Sequence, residues 1–207
     1  YKIHYKRIKN CYLRVEKGEV VIRCSPLFSQ SEIEKLIRNH QEEILEQIKG
    51  YVPKYNYQED GYVYLFNQKY QIVLKDMNIK KCAIHDRQIY VYSKNIQATI
   101  EMFLKQELMN YLKERIDFYL STSFHHVFPE IQIKKMKRRW GACFYQKNRV
   151  CFNLVLAHID YALIDYVIVH ELCHFLEANH SKAFYHEIEK RMPDYKERER
   201  LLKDVGI

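Results

Sequence analysis

The sequence predicts an α+β fold in which a β-rich N-terminal module with one helix (residues 1–92) precedes a helix-dominated half (residues 93–207). Three observations predict it. Apolar residues alternate with polar ones over 11–24 and again in short runs between 62 and 92. From Ile96 to Leu120 they recur at helical spacing. Residues 161–178 are apolar nearly all round, the mark of a buried helix.

Taken in order, Cys11, Leu13 and Val15, the turn pair Lys17-Gly18, then Val20, Ile22 and Cys24 predict a hairpin. Ser31, with Glu34 three residues on, reads as a capping box opening a helix whose stripe is Ile33, Leu36, Ile37, Ile44, Leu45 and Ile48. Gly50, Pro53 and a Tyr/Asn/Gln-rich stretch to Gly61 end it. Strands are expected at 62–66, at 69–74 after an Asn67-Gln68 turn, at 82–85 and at 88–92. The tyrosines in these strands suit half-buried pleated surfaces. The long amphipathic helix over 96–120 follows, and Pro129 ends the loop after it. Three more strands are expected at 131–137, 139–145 and 150–155, with Gln146 to Arg149 as the turn between the last two. Asp160 caps the buried helix, Asn179 supplies its left-handed stop, Ser181 opens a further helix that Pro193 closes, and a last charged helix runs from Asp194.

Composition bounds what this chain does. It has 207 residues, 47% hydrophobic, with only five Gly and four Pro, which excludes collagen-like and linker sequences. No apolar run approaches the roughly 20 residues of a membrane span. Tyr1 to Asn10 lacks the apolar core of a signal peptide, and the start at Tyr1 rather than Met leads us to expect preceding residues. The six cysteines have no C-x-x-C spacing, so reduced thiols and a cytoplasmic location are expected. The net charge of +8 gathers at the N-terminus and over Lys134 to Arg139. Such segments admit nucleic acid, although a solvated strand face is the commoner reason for them.

The chemistry is concentrated in His170-Glu171-Leu172-Cys173-His174. Two histidines four apart lie on one face of a helix and can reach a single ion. The glutamate between them projects beside that ion, where it can take a proton from water. Chance produces this pattern roughly 0.04 times in a chain of this composition. Burying these groups in an apolar helix is costly unless something satisfies them, and no Lys or Arg lies between 161 and 178 to pair with Glu171. A divalent ion supplies the missing charge. His180, just past Asn179, can fold back onto the same ion. Three imidazoles and one water make an open tetrahedral zinc site, the catalytic rather than the closed structural arrangement. His125-His126 reads as surface, Cys173 as core, and Trp140 beside Gly141 as a packing anchor with a close backbone contact.

With those residues in view, the chain resembles the YgjP-like metallopeptidases, which are related to the WLM and SprT groups of zincins. The likeness is carried by His170 to Phe175, Asn179-His180-Ser181, Phe184-Tyr185, Lys137 to Cys143, Asn153-Leu154, Ile164 to Val169 and Met192 to Lys196. Ala142 departs from the serine more usual there, so no hydroxyl role carries over to it. The resemblance implies a zincin-like catalytic half made of a backing helix (96–120), a small sheet and the histidine helix. It implies His170, His174 and His180 as zinc ligands, Glu171 as general base, and a peptide or protein substrate lying along strand 139–145 or 150–155. Arg139, Tyr185 and His186 are candidates for a second oxyanion donor. Two other readings keep the same site: hydrolysis of a nucleotide phosphoanhydride, with the basic segments holding phosphate, and a nucleic-acid-associated SprT-like protease.

Overall fold

The computed structural model describes residues 1–16, 18–50, 55–77 and 79–206. Contacts divide the chain into two compact units, residues 1–54 and 55–207. In the first, β1 (Lys2–Tyr5), β2 (Tyr12–Glu16) and β3 (Glu19–Cys24) form a sheet with β3 central, antiparallel to β2 and parallel to β1. The β2–β3 hairpin is the one that alternation predicts; Lys17 of its expected turn lies outside the described residues. β1 has no sequence signature of its own. Its Lys-Ile-His-Tyr run offers only Ile3 to the small core, and pairing with β3 makes it a strand.

Helix α1 (Gln30–Asn39) starts earlier than expected, because Ser29 and Glu32 form the capping box in place of Ser31 and Glu34. The Glu32 N–H donates to Ser29 Oγ at 3.3 Å, and the Ser29 N–H donates to Glu32 Oε2 at 2.8 Å. Both Ser-x-x-Glu frames are present, and local pattern does not choose between them. His40 then splits the expected single helix. Its N–H bonds the Ile37 carbonyl and its Nδ1 sits 3.0 Å from the Leu36 carbonyl, after which α2 (Gln41–Gly50) continues. Pro53 lies outside the described residues.

The second unit opens with β4 (Tyr55–Asn56), β5 (Tyr62–Leu65), β6 (Gln68–Leu74), β7 (Lys81–His85) and β8 (Gln88–Tyr92). They form a sheet in the order β4-β5-β6-β8-β7. Four of these stand where alternation places them; β4 is too short to carry a pattern. The β5–β6 turn is Phe66-Asn67, one residue earlier than expected, with φ of 49° and 66° as a two-residue primed hairpin requires. Phe66 holds this unusual conformation while its ring stacks 4.5 Å from Tyr161 and tilts 5.5 Å from Tyr111.

Asn95 caps α3 (Ile96–Tyr119), its side chain accepting the Ala98 N–H at 3.1 Å. The α3 stripe Ile100, Leu104, Leu108, Leu112 and Ile116 is fully buried. It shares one core with Val63, Ile72, Ile89 and Val91 of the sheet. The expected boundary after Tyr92 therefore falls inside a core: the sheet's apolar face needs α3 to cover it.

After α3, a π turn at Leu120–Phe124 ends on left-handed His125. β9 (Glu130–Lys134), β10 (Gly141–Phe144) and β11 (Arg149–Asn153) then form a sheet in the order β10-β11-β9. β10 and β11 end earlier than expected because Tyr145–Lys147 and Leu154–His158 are 3-10 turns, and β9 ends at Lys134 rather than 137. The last helices are α4 (Tyr161–Cys173), α5 (Lys182–Arg191) and α6 (Tyr195–Val205). α4 ends at Cys173 rather than 178, and Asn179 is not its left-handed stop. His174 closes it in a right-handed conformation, and tight Phe175-to-Leu172 and Leu176-to-Cys173 bonds turn the chain. Among the described residues no helix is long and apolar enough to cross a membrane.

Candidate metal centre

Contacts at its start and its middle hold α4 in place. Asp160 caps it by accepting the Ala162 N–H at 2.8 Å. One turn on, buried Asp165 accepts Arg115 Nε at 3.0 Å and Nη2 at 2.7 Å, Tyr111 Oη at 2.8 Å and Tyr119 Oη at 3.1 Å. This pins α4 to α3, and the carboxylate drives the Arg115 pKa further up. Sequence pattern around Asp165 does not announce this network, because its partners lie some 50 residues away in the chain.

His170 and His174 share one face of α4, their ring centroids 5.3 Å apart. The turn after α4 returns His180 to them, at 5.0 Å from the His170 ring and 4.8 Å from that of His174. Ser181 fixes that return by capping α5, its Oγ accepting the Phe184 N–H at 3.3 Å. Phe184, fully buried, backs all three imidazoles at centroid distances of 5.0, 4.6 and 4.7 Å. Its supporting role was not legible in the sequence, where it is one aromatic among many. One nitrogen from each imidazole lies within 4.8 Å of the others, an arrangement able to hold a metal ion.

The protonation chemistry fits an ion. Burial first, then its two neighbouring histidines, lower the His170 pKa to about 3, and burial lowers that of His174. Both are therefore neutral at physiological pH, the state in which imidazole ligates metal. His174 Nδ1 lies 3.2 Å from the Glu177 carbonyl. That contact places the proton on Nδ1 and leaves Nε2 free, a common outer-contact device in metal sites. His170 Nε2 and His180 Nε2 face each other at 3.0 Å, and His170 Nδ1 is buried without a hydrogen-bond partner. Three imidazoles turned toward one another in this way, two of them held neutral by burial, suit a shared cation.

Glu171 is 6% exposed and lies against Gly141 of β10. A Cβ at Gly141 would come within 2.6 Å of Glu171 Oε1, so only glycine permits this approach. Burial pushes the Glu171 carboxyl up to about 8; a hydrogen bond from the Cys143 backbone and the charge of Arg139 partly oppose it. Arg139 thus supplies the cation that α4 itself lacks.

These groups open into a cleft of about 600 Å³ whose walls include Trp140, Tyr145 and, from α6, Glu199, Leu202 and Lys203. Of the expected oxyanion donors, Arg139 lines the cleft. Tyr185 and His186 do not: Tyr185 packs between His180 and Tyr195. Tyr166, which is not among those three candidates, lines it instead, edge-on to His170 at 5.9 Å. Burial raises its phenol pKa, keeping the hydroxyl a donor. β11 is paired on both sides, so of the two candidate strands 139–145 and 150–155 the first remains: among the described strands of this sheet that lie beside the cleft, β10 is the edge.

Residues 9–205 match the YgjP-like family, described as a metallopeptidase domain. The chain belongs to this family. YgjP-like membership makes it a hydrolase of the peptidase type and implies a catalytic metal. Comparison with curated proteins finds no match. Among solved structures, the metallopeptidase zymogen abylysin of Pyrococcus abyssi is similar at 17% identity and a TM-score of 0.42, over 45% of this chain and 94% of its own. The zymogen jannalysin of Methanocaldococcus jannaschii is similar at 25% identity and the same TM-score, over 46% of this chain and 97% of its own.

Proposed function

We propose that this YgjP-like protein is a zinc-dependent peptidase in which His170, His174 and His180 hold the ion and Glu171 moves the proton. The observation that carries the reading is the convergence of three imidazoles beside a buried carboxyl in a cleft bordered by an edge strand. Zinc held by these three histidines would supply Lewis acidity, lowering the pKa of water and polarising a carbonyl. Glu171 accepts the water's proton and returns it to the leaving amine; burial by itself pushes its carboxyl up, and a dication held beside it would draw it back toward the ionised state a base needs. Edge strand β10 offers backbone groups to an extended peptide, which aligns the scissile bond over Glu171. Tyr166 and Arg139, both in the cleft wall, supply donors for the developing oxyanion.

The test pairs two readouts. Glu171→Gln should lower kcat/KM on peptides by about 10²–10⁴ while metal analysis still finds one zinc per chain. His180→Ala should lose zinc and activity together. A Glu171→Gln protein that loses its metal, or a zinc-loaded wild type that cleaves nucleotides and no peptide, would overturn the reading.

A further inference from the structure

Cys11 and Cys24 lie far from this chemistry in sequence, in the N-terminal unit, and the strand register brings them together. β2 and β3 pair Tyr12 with Arg23 and Leu13 with Ile22. One step further along the same register sets Cys11 opposite Cys24. The Cys24 carbonyl accepts the Lys6 N–H at 2.8 Å on the β1 side. A strand residue's N–H and C=O point to the same side, so those of Cys24 face away from β2. Cys11 and Cys24 are therefore a non-hydrogen-bonded pair, the kind whose α-carbons approach to about 4.5 Å. That falls within the span of about 4.4–6.8 Å that a disulfide bridges.

Both side chains leave on the face that buries Ile22 and packs Leu13. Cys24 is fully buried and Cys11 half-buried, so an oxidant reaches Cys11 first. The thiols already interact: after burial, the neighbouring Cys24 is the next cause raising the Cys11 pKa, in part through a hydrogen bond. Both are free thiols in this structure.

We propose that Cys11 and Cys24 are a two-electron modification site that a peroxide converts to a disulfide. The Cys11 sulfur attacks one peroxide oxygen, giving Cys11 sulfenic acid and one water. The Cys24 thiol then attacks that sulfur and expels its oxygen as a second water. Two S–H bonds are replaced by one S–S bond, and the two electrons reduce one hydrogen peroxide. The bridge ties β2 to the central strand of its sheet and closes a hairpin of 14 residues, which restrains the unfolded chain.

The test uses the full-length folded chain, treated with one equivalent of hydrogen peroxide, alkylated, and digested with trypsin without reductant. Cleavage leaves Cys11 in the peptide Asn10 to Arg14 and Cys24 in the peptide Cys24 to Lys35. The expected product is these two peptides joined, lighter by two hydrogen atoms than their sum, and absent from Cys11→Ser. The proposal fails if both peptides carry alkylated cysteine while oxidation appears elsewhere. It also fails if Cys11 accumulates as sulfinic acid unlinked. Because the wild-type map alone decides the outcome, the test does not depend on the variant folding.

Discussion

A glycine decides where the proposed base can stand. Gly141 leaves room for the Glu171 side chain, and an added methyl would overlap its Oε1, Cγ and Cδ at 2.6, 2.7 and 2.8 Å. Gly141→Ala should therefore displace the carboxyl and cut kcat/KM by about 10²-fold, with little change in the far-ultraviolet circular dichroism or in zinc content. Unchanged activity would show that Glu171 does not depend on this contact. The four residues His170, Glu171, His174 and His180 were legible in the sequence, because helical spacing puts the first three on one element and costly burial demands a partner. Gly141 was legible only as a close contact of unknown partner. Tyr166 and Phe184 were not, since tyrosine or phenylalanine in a buried helix is ordinarily core.

At the scale of elements, two ion pairs hold the helices that carry the site. Asp165 joins α4 to Arg115 of α3. Asp165→Asn leaves that guanidinium short of its countercharge and should cost about 2–3 kcal/mol in urea unfolding. This is less than the fully buried figure because the Arg115 side chain keeps 26% of its surface exposed. Glu187 of α5 pairs with Arg191 at 2.6 Å, and Arg191 in turn donates to the Ser123 carbonyl at 3.1 Å and covers the Phe124 ring at 4.2 Å, tying α5 to the π turn. Hydrogen bonds from Lys190 and Arg191 lower the Glu187 pKa to about 2. A depressed carboxylate pKa contributes stability above its unfolded value, near 4.3, which is lost as pH falls toward 2. Glu187→Gln should thus be less stable than wild type at pH 7, and the difference should close between pH 4.5 and 2 in urea titrations. Element positions were mostly readable from periodicity. Their ends were less so, as at His40 and Cys173, where a side-chain contact or a tight turn ends a helix that apolar spacing alone would prolong.

For the whole molecule, the units 1–54 and 55–207 give the candidate site an internal control. Zinc bound only to the native second unit should raise that unit's unfolding midpoint, by about 4 kcal/mol of stability at a thousandfold excess over Kd. In calorimetry with and without chelator, a transition of the first unit should stay in place. A zinc shift in both transitions, or in neither, would count against a site confined to His170, His174 and His180. The sequence by itself determined the α+β class, the order of most strands and helices, and the histidine-glutamate constellation, because each is written in spacing a few residues wide. Only the tertiary structure decided where the chain divides, which strand offers its edge to the cleft, and which residues support the imidazoles. Those depend on contacts between segments far apart in sequence: α3 against the five-stranded sheet, Arg115 against Asp165, and Gly141 against Glu171. No local period encodes such pairs; burial of shared apolar surface and satisfaction of buried charge select them.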